Sequence, residues 1–295
     1  RTAVCPDVRH DSEVQLAQFS KDGTRLFSFS EKQLKITSLK DGATITHHLE
    51  SHGGERIWEI GPNGNCVITA AKGPREQGLT GFVVTNFSTG DIESVRLEIR
   101  DAVYAVAVHD DGERLAISTN SGGLLSERLA DGNYKHSHFS ELKYAIAMDF
   151  NHDGSHLLCG RIDYTARVFR VDDQEPVSAP LRHYGPVVAV AFGPNGHEKE
   201  LIVTLSSTFK DEMGEQSLQL WDTDTEESLT PAMKIEGPSS THLWTQFSPV
   251  QVGMGSEGRQ LSVVFKEGMA SLWDVFPAMD GDAPSWISDL GEAVG

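Results

Sequence analysis

Apolar residues in this chain fall into short runs, some alternating with polar residues and some wholly apolar, punctuated by polar-Gly pairs. The residues that close the leading runs are Phe19, Ile60, Val108, Phe150, Phe192 and Phe247, at intervals of 41, 48, 42, 42 and 55. Five of them are followed by a tight pair: Asp22-Gly23, Asn63-Gly64, Asp111-Gly112, Asp153-Gly154 and Asn195-Gly196. Glu257-Gly258 takes the sixth place after a longer loop. Runs this short, separated by Asn/Asp-Gly signals, predict strands and tight turns rather than helices. A unit of about 40–45 residues with several strands is the pattern of a β-propeller blade, since one small sheet cannot bury both its faces alone.

The clearest unit is the fifth. Residues 186–192 form a wholly apolar strand, 201–205 and 217–221 the next two, and 228–234 an outer strand. The fourth repeats this order over 145–150, 156–159, 165–171 and 177–181. Units one to three fit as well, with 72–80 inserted between the second and third strands of unit two. Unit six is read as 242–247, 260–265 and 269–275, without a fourth strand of its own. Residues 2–8 are expected to supply that strand and close the ring, the alternative being a seventh blade in the parent protein. Leading strands alternate large and small residues, as Tyr104, Val106 and Val108 do with Ala105 and Ala107. That suits a strand wedged between two neighbouring blades. Glu59 and Asp149 interrupt the small column and are read as structural.

The expected organisation is an all-β propeller over 1–277, with six four-stranded blades visible. A linker and short helix follow over 278–295, where Trp286, Ile287, Leu290 and Val294 share a face. The chain opens on Arg1 rather than Met, which suggests a piece of a larger protein. The formal charge of −18 disfavours nucleic acid and anionic membranes, which require clustered Lys and Arg. Cys5, Cys66 and Cys159 are few, odd in number and far apart, which fits neither a disulfide framework nor a zinc site. They fit a reducing, cytoplasmic compartment. No run approaches the length of a bilayer-spanning helix.

Over nearly all of residues 2–277 these features resemble the WD40 (WD-repeat) family. The residues that carry the likeness are Trp221-Asp222 and Trp273-Asp274 closing third strands, and the Phe-x-x-Asp/Asn-Gly phrases. His183 and His10 each stand nine residues before a leading-strand Phe, and His52 eight before Ile60. The resemblance implies a buried hydrogen-bonded set in each blade: a loop His, a second-strand hydroxyl, an Asp six before the Trp, and the Trp. No blade keeps it all. Blade five offers His183, Ser206, Glu215 and Trp221; blade four has Asp163 and Phe169 but Arg161 at the hydroxyl place. Blade six has Glu267 and Trp273, while Thr37, Thr85 and Ser126 stand at the Trp place in blades one to three. Residues 181–187 and 283–290 resemble propellers of large bacterial signalling proteins, in which a kinase domain often lies upstream.

Catalytic and cofactor motifs find no foothold. Gly253, Gly255 and Gly258 spell G-x-G-x-x-G but open no helix that could receive a phosphate. The Asp222, Asp224, Glu226 series begins like a calcium loop yet has Glu227 where a Gly is required, and reads as a hairpin turn. His136 and His138 alternate on an outer strand and are read as solvated rather than metal-bound. No cofactor or metal is expected. What remains is the rim. The insertions 72–80 and 207–216 both join second to third strands, so both emerge on one face. There Arg75, Phe209, Lys210 and Met213, with Tyr184, supply the residue types of interaction hot spots. The sequence therefore points to a non-catalytic interaction module of a larger signalling protein. The competing reading is a hydrolase or metal-dependent propeller enzyme with its site in the central channel.

Overall fold

The computed structural model describes residues 7–12, 14–19, 24–30, 33–48, 56–60, 66–72, 80–86, 93–99, 101–129, 132–193, 200–208, 215–223, 225–235, 251–254, 260–264 and 270–274. Each repeat unit folds into one antiparallel sheet whose strands pair in chain order. Blade one holds β1 (Val14–Phe19), β2 (Arg25–Ser30), β3 (Gln33–Ser38) and β4 (Thr44–His48). Blade two holds β5 (Arg56–Ile60), β6 (Cys66–Lys72), β7 (Thr80–Asn86) and β8 (Glu93–Ile99). Blade three holds β9 (Val103–Val108), β10 (Arg114–Thr119), β11 (Gly123–Arg128) and β12 (Tyr134–His138). Blade four holds β13 (Ala145–Phe150), β14 (His156–Arg161), β15 (Thr165–Arg170) and β16 (Leu181–Arg182). Blade five holds β17 (Val187–Phe192), β18 (Leu201–Thr208), β19 (Glu215–Asp222) and β20 (Met233–Ile235). Blade six has three strands among the described residues, β21 (Gln251–Met254), β22 (Gln260–Val264) and β23 (Ala270–Asp274). The helical element among the described residues is a single 3-10 turn, Ser140–Leu142.

The leading strands β5, β9, β13, β17 and β21 pack beside one another in sequence order, which makes the sheets blades around a common axis. Apolar clusters fill the wedges between them. Ile68, Leu97 and Ile99 of blade two meet Val106, Val108, Leu115 and Ile117 of blade three. Ala107, Ala116 and Leu125 of blade three meet Phe150, Leu157, Cys159 and Phe169 of blade four. Leu158, Ala166 and Val168 of blade four meet Val190, Phe192, Ile202 and Trp221 of blade five. Val203, Leu205 and Leu220 of blade five meet Leu261 and Val263 of blade six. Neighbouring residues thus enter opposite wedges: Leu157 and Cys159 one, Leu158 the other. This is the period-2 consequence of a sheet covered on both faces, and it gives the alternation of Val106, Ala107 and Val108 its physical cause. Close approach needs small residues. A Cβ on Gly160 of β14 would lie 2.7 Å from Val187 Cγ1 and 2.9 Å from the Val187 carbonyl.

Blade six departs from the sequence reading. The strand that pairs with β22 ahead of it is Gln251–Met254, through Met254↔Leu261, while the strand expected over 242–247 lies outside the described residues. Met254 stands in the place of Phe192, and the expected anchor Phe247 lies outside the described residues, as does the C-terminal helix over 285–294. The proposed closing segment falls mostly outside them too: residues 2–6 are not described, and Asp7 to His10 are not in a strand. Gly253 lies inside β21 and Gln260 begins β22, so the glycine-rich phrase joins two hairpin strands. Asp149 has a structural role: its Oδ2 accepts a hydrogen bond of 2.8 Å from the Phe192 amide, tying β13 to the end of β17.

Candidate interaction face and the buried blade sets

The polar set of blade five is built from two strands and the loop that leads into β17. Trp221 on β19 lies opposite Ile202 of β18, and Thr204 sits two positions further along on the same face. Trp221 Nε1–H donates to Thr204 Oγ1 at 2.9 Å, and the Thr204 hydroxyl donates to His183 Nε2 at 2.7 Å. His183 Nδ1–H donates to the Leu181 carbonyl at 3.0 Å, which fixes the neutral tautomer. Thr204 is fully buried, and the imidazole and indole centroids are 5.4 Å apart. Burial drives the His183 pKa down to about 4, against smaller upward pulls from the Leu181 and Tyr164 carbonyls. The hydroxyl partner is therefore Thr204 and not Ser206, whose Oγ reaches only the Ser217 carbonyl at 3.5 Å.

The same register relocates the set in the other blades. Thr37 lies opposite Leu26, so Ser28 is the counterpart of Thr204. His10 contacts Ser28 Oγ at 2.8 Å and Ser30 Oγ at 3.0 Å, a His–hydroxyl pair without a Trp. Phe169 lies opposite Leu157, so the counterpart in blade four is Cys159, fully buried, rather than Arg161. Burial pushes the Cys159 thiol far above its ordinary range. Glu141 stands nine residues before Phe150, where blade five has His183, and meets Arg161 Nη1 at 3.6 Å. Asp163 closes its turn by accepting from the Thr165 amide and hydroxyl at 3.2 and 2.6 Å, and lies 3.6 Å from Arg161 Nε. In blade three the corresponding places are Ile99, Ile117 and Ser126, all buried.

Asp222 is fully buried and begins a hairpin turn, its amide donating to the Glu227 carbonyl at 3.1 Å. Glu226 reaches across to blade four, accepting from the Ala179 amide at 2.6 Å. Trp273 and Asp274 lie in β23 opposite Leu261 and Gln260. His136 and His138 lie on the outer strand β12, with His136 stacked on Tyr134. Among the described residues no three His, Cys, Asp or Glu side chains group as metal ligands. Among them, too, no helix is long and apolar enough to cross a membrane.

Of the expected rim residues, Arg75, Phe209, Lys210 and Met213, together with His52, lie outside the described residues. Tyr184 is described and is 83% exposed. It does not stand alone. Tyr104 is the second residue of β9, Tyr144 precedes β13, Tyr164 joins β14 to β15, and Tyr184 precedes β17. In an up-and-down blade these positions share one end, from which the loops after Lys72 and Thr208 also leave. Backbone bonds link the tips: Tyr144 N to Thr119 O, Ile162 N to Tyr144 O, and His183 N to Tyr164 O. The Tyr104 and Tyr144 rings meet edge to face at 5.9 Å, and Lys143 Nζ lies 5.1 Å from the Tyr144 ring centroid. Tyr144 and Tyr164 are 40% and 49% exposed and occupy left-handed backbone, with φ of 59° and 71°. Gly or Asn fits that conformation at lower cost than a bulky ring. The sequence reading singled out Tyr184 alone; the other three become visible once strand ends are assigned to faces.

No protein-family model and no curated protein matches the chain. Among solved structures, Kluyveromyces lactis Hsv2, a WD40 β-propeller determined with its complete loop 6CD, superposes with a TM-score of 0.61. The match covers 94% of this chain and 79% of that one at 14% identity. A likeness at that identity is one of architecture, and with the ordered blades and their filled wedges it makes this chain a β-propeller of WD40 type in fold.

Proposed function

We propose that the chain is a non-catalytic protein-interaction module that docks a protein partner on the tyrosine-bearing face. The observation that carries this reading is the row Tyr104, Tyr144, Tyr164 and Tyr184 across blades three to five. Tyr rings supply large contact area with few rotatable bonds and a polar tip, which suits them to interface hot spots. Two of them stand where the backbone favours Gly or Asn, and residues in such strained conformations gather at functional sites. The ends of β6 at Lys72 and of β18 at Thr208, from which the insertions 72–80 and 207–216 leave, lie at the same end of their blades, and the residue types of Arg75, Phe209, Lys210 and Met213 suit the same docking role. By its sequence resemblance the module belongs to a larger bacterial signalling protein, linked to a kinase domain whose activity or location it governs.

The test is cross-linking of the full-length protein in its native cells, comparing the wild type with Tyr164→Asn/Tyr184→Ser and with short Gly-Ser turns in place of both insertions. Tyr164→Asn removes the ring without loss of backbone fit. The expected result is that a partner captured by the wild type is lost from both variants and kept by Ile45→Ser, a change on an outer strand. Undiminished capture by both variants overturns the docking face. Turnover of a hydrolase substrate panel by the wild type overturns the non-catalytic reading.

A further inference from the structure

At the end of the blades away from the tyrosines, the residue after the anchor faces the next blade's turn in blades three and four. In blade four it is Asn151, whose Nδ2 donates to Glu200 Oε1 at 2.9 Å; in blade five it is Gly193. In blade three it is His109, 6% exposed, its ring edge-on to Phe150 at 5.9 Å. His109 Nδ1 lies 2.8 Å from Asp111 Oδ2, and Nε2 lies 3.0 Å from the His152 carbonyl. Neither oxygen can donate, so both ring nitrogens must carry protons for both contacts to be favourable. The Asp111 amide also approaches Nδ1, but at 3.4 Å it competes poorly with the carboxylate. His183 is the internal contrast: it faces one carbonyl and one hydroxyl, a pair that the neutral ring satisfies.

We propose that His109 is held as an imidazolium and acts as a pH-responsive clamp between the turns of blades three and four. The charged groups around it support that state. Asp111 and Asp110 flank it on its own turn, Asp110 also lying 3.7 Å from His152 Nδ1 of the facing turn. Arg114 of β10 opposes the charge, but spends itself on the Asp153 carbonyl at 3.0 Å and on Glu127 Oε1 of β11 at 3.4 Å. Asp153 stays ionised, its pKa lowered by the Ser155 hydroxyl and amide. Burial works against the imidazolium, yet the bonds to Asp111 and the His152 carbonyl outweigh it and raise the His109 pKa above 6.5. The turns interlock closely: a Cβ on Gly154, where φ is 70°, would fall 2.2 Å from Arg114 Nη1 and 3.1 Å from His109 Nε2. A group whose folded pKa is raised stabilises fully below the unfolded value, and that contribution is lost as pH rises through the folded value. The seam between blades three and four therefore loosens as pH rises through the folded-state pKa of His109.

The test reads the ring itself. Two-bond proton–nitrogen NMR spectra of the whole chain at pH 6 to 9 report the protonation of each His109 nitrogen. Hydrogen exchange at the Gly112 and Gly154 amides, corrected for intrinsic base catalysis, reports the turns. The expected result is both nitrogens protonated at pH 6.5, a midpoint above 6.5, and protection of both amides falling through that midpoint. Asp111→Asn, nearly isosteric and so a safeguard if His109→Gln fails to fold, lowers the midpoint and moves the loss of protection with it. A ring carrying one proton at pH 6.5, a midpoint indifferent to Asp111→Asn, or protection that ignores the midpoint each overturns the clamp.

Discussion

Replacing Thr204 by Val tests the blade-five set with the least steric disturbance, since the two side chains nearly coincide in shape. The substitution removes the acceptor of Trp221 Nε1–H and the donor to His183 Nε2 at once. Thr204 is fully buried and Trp221 is 8% exposed, so water cannot readily replace the lost partner. An unsatisfied buried group costs about 1–3 kcal/mol, so the pair predicts a loss of about 2–4 kcal/mol. Trp221→Phe gives the complementary deletion: it takes away the donor while Thr204 keeps its bond to His183. In that background Thr204→Val strands only the histidine, so its cost drops by about 1–2 kcal/mol, the share owed to the indole. The assay is urea unfolding at pH 7.5 followed by circular dichroism on all four members of the cycle. A cost below about 0.5 kcal/mol for Thr204→Val, or strict additivity with Trp221→Phe, refutes the relay through Thr204.

Two further outcomes follow from the same wedge. Trp221→Ala should cost about 3–5 kcal/mol, because the ring fills the seam between blades four and five; an unchanged melting temperature contradicts that placement. Because the His183 pKa falls from 6.5 to about 4 on folding, its contribution is complete above pH 6.5 and is lost as pH drops through 4. That amounts to at most about 3 kcal/mol, and His183→Asn should flatten the profile of urea midpoint against pH between 4 and 6.5. A wild-type profile already flat there removes His183 from the buried set.

The repeat was legible because it is written in local chemistry: short apolar runs and polar-Gly turns at a period of about 42. Blade six was misread where Phe247 was accepted as the anchor although Glu257-Gly258 sits far from it. In the other five units the turn begins three residues after the anchor, and that offset points to Met254, where β21 does end. The hydroxyl partners were misplaced by two positions, Ser206 for Thr204 and Arg161 for Cys159. Positions i and i+2 share a strand face, so spacing alone cannot separate them; the pairing of Trp221 with Ile202 does. The stitches from His109 to His152 and from Asn151 to Glu200 were invisible for another reason. They join residues more than forty apart through loop geometry that no strand pattern encodes.

The seams also explain how this architecture forms with so little of the WD-repeat set present. Between blades four and five the wedge holds His183, Thr204 and Trp221, every polar atom of the set partnered. Between blades three and four, Phe169 and Cys159 take the places of the indole and hydroxyl, with Phe139 packed edge-on to Phe169 at 5.4 Å. Between blades two and three, Ile99 and Ile117 fill the histidine and hydroxyl places outright. A fully satisfied buried polar network and an apolar cluster of like volume differ little in net stability, because desolvation offsets much of what the hydrogen bonds contribute. The costly state is the intermediate one, with one partner gone and the other stranded. Removing the members of a set together should therefore cost less than removing one and stranding its partner. Blade five keeps all three and blade three none, while blade one keeps His10 and pairs it with both Ser28 and Ser30, so that neither ring nitrogen is left bare. Such variation removes the WD-repeat residues from one blade after another, yet the described wedges from blade two to blade six stay filled.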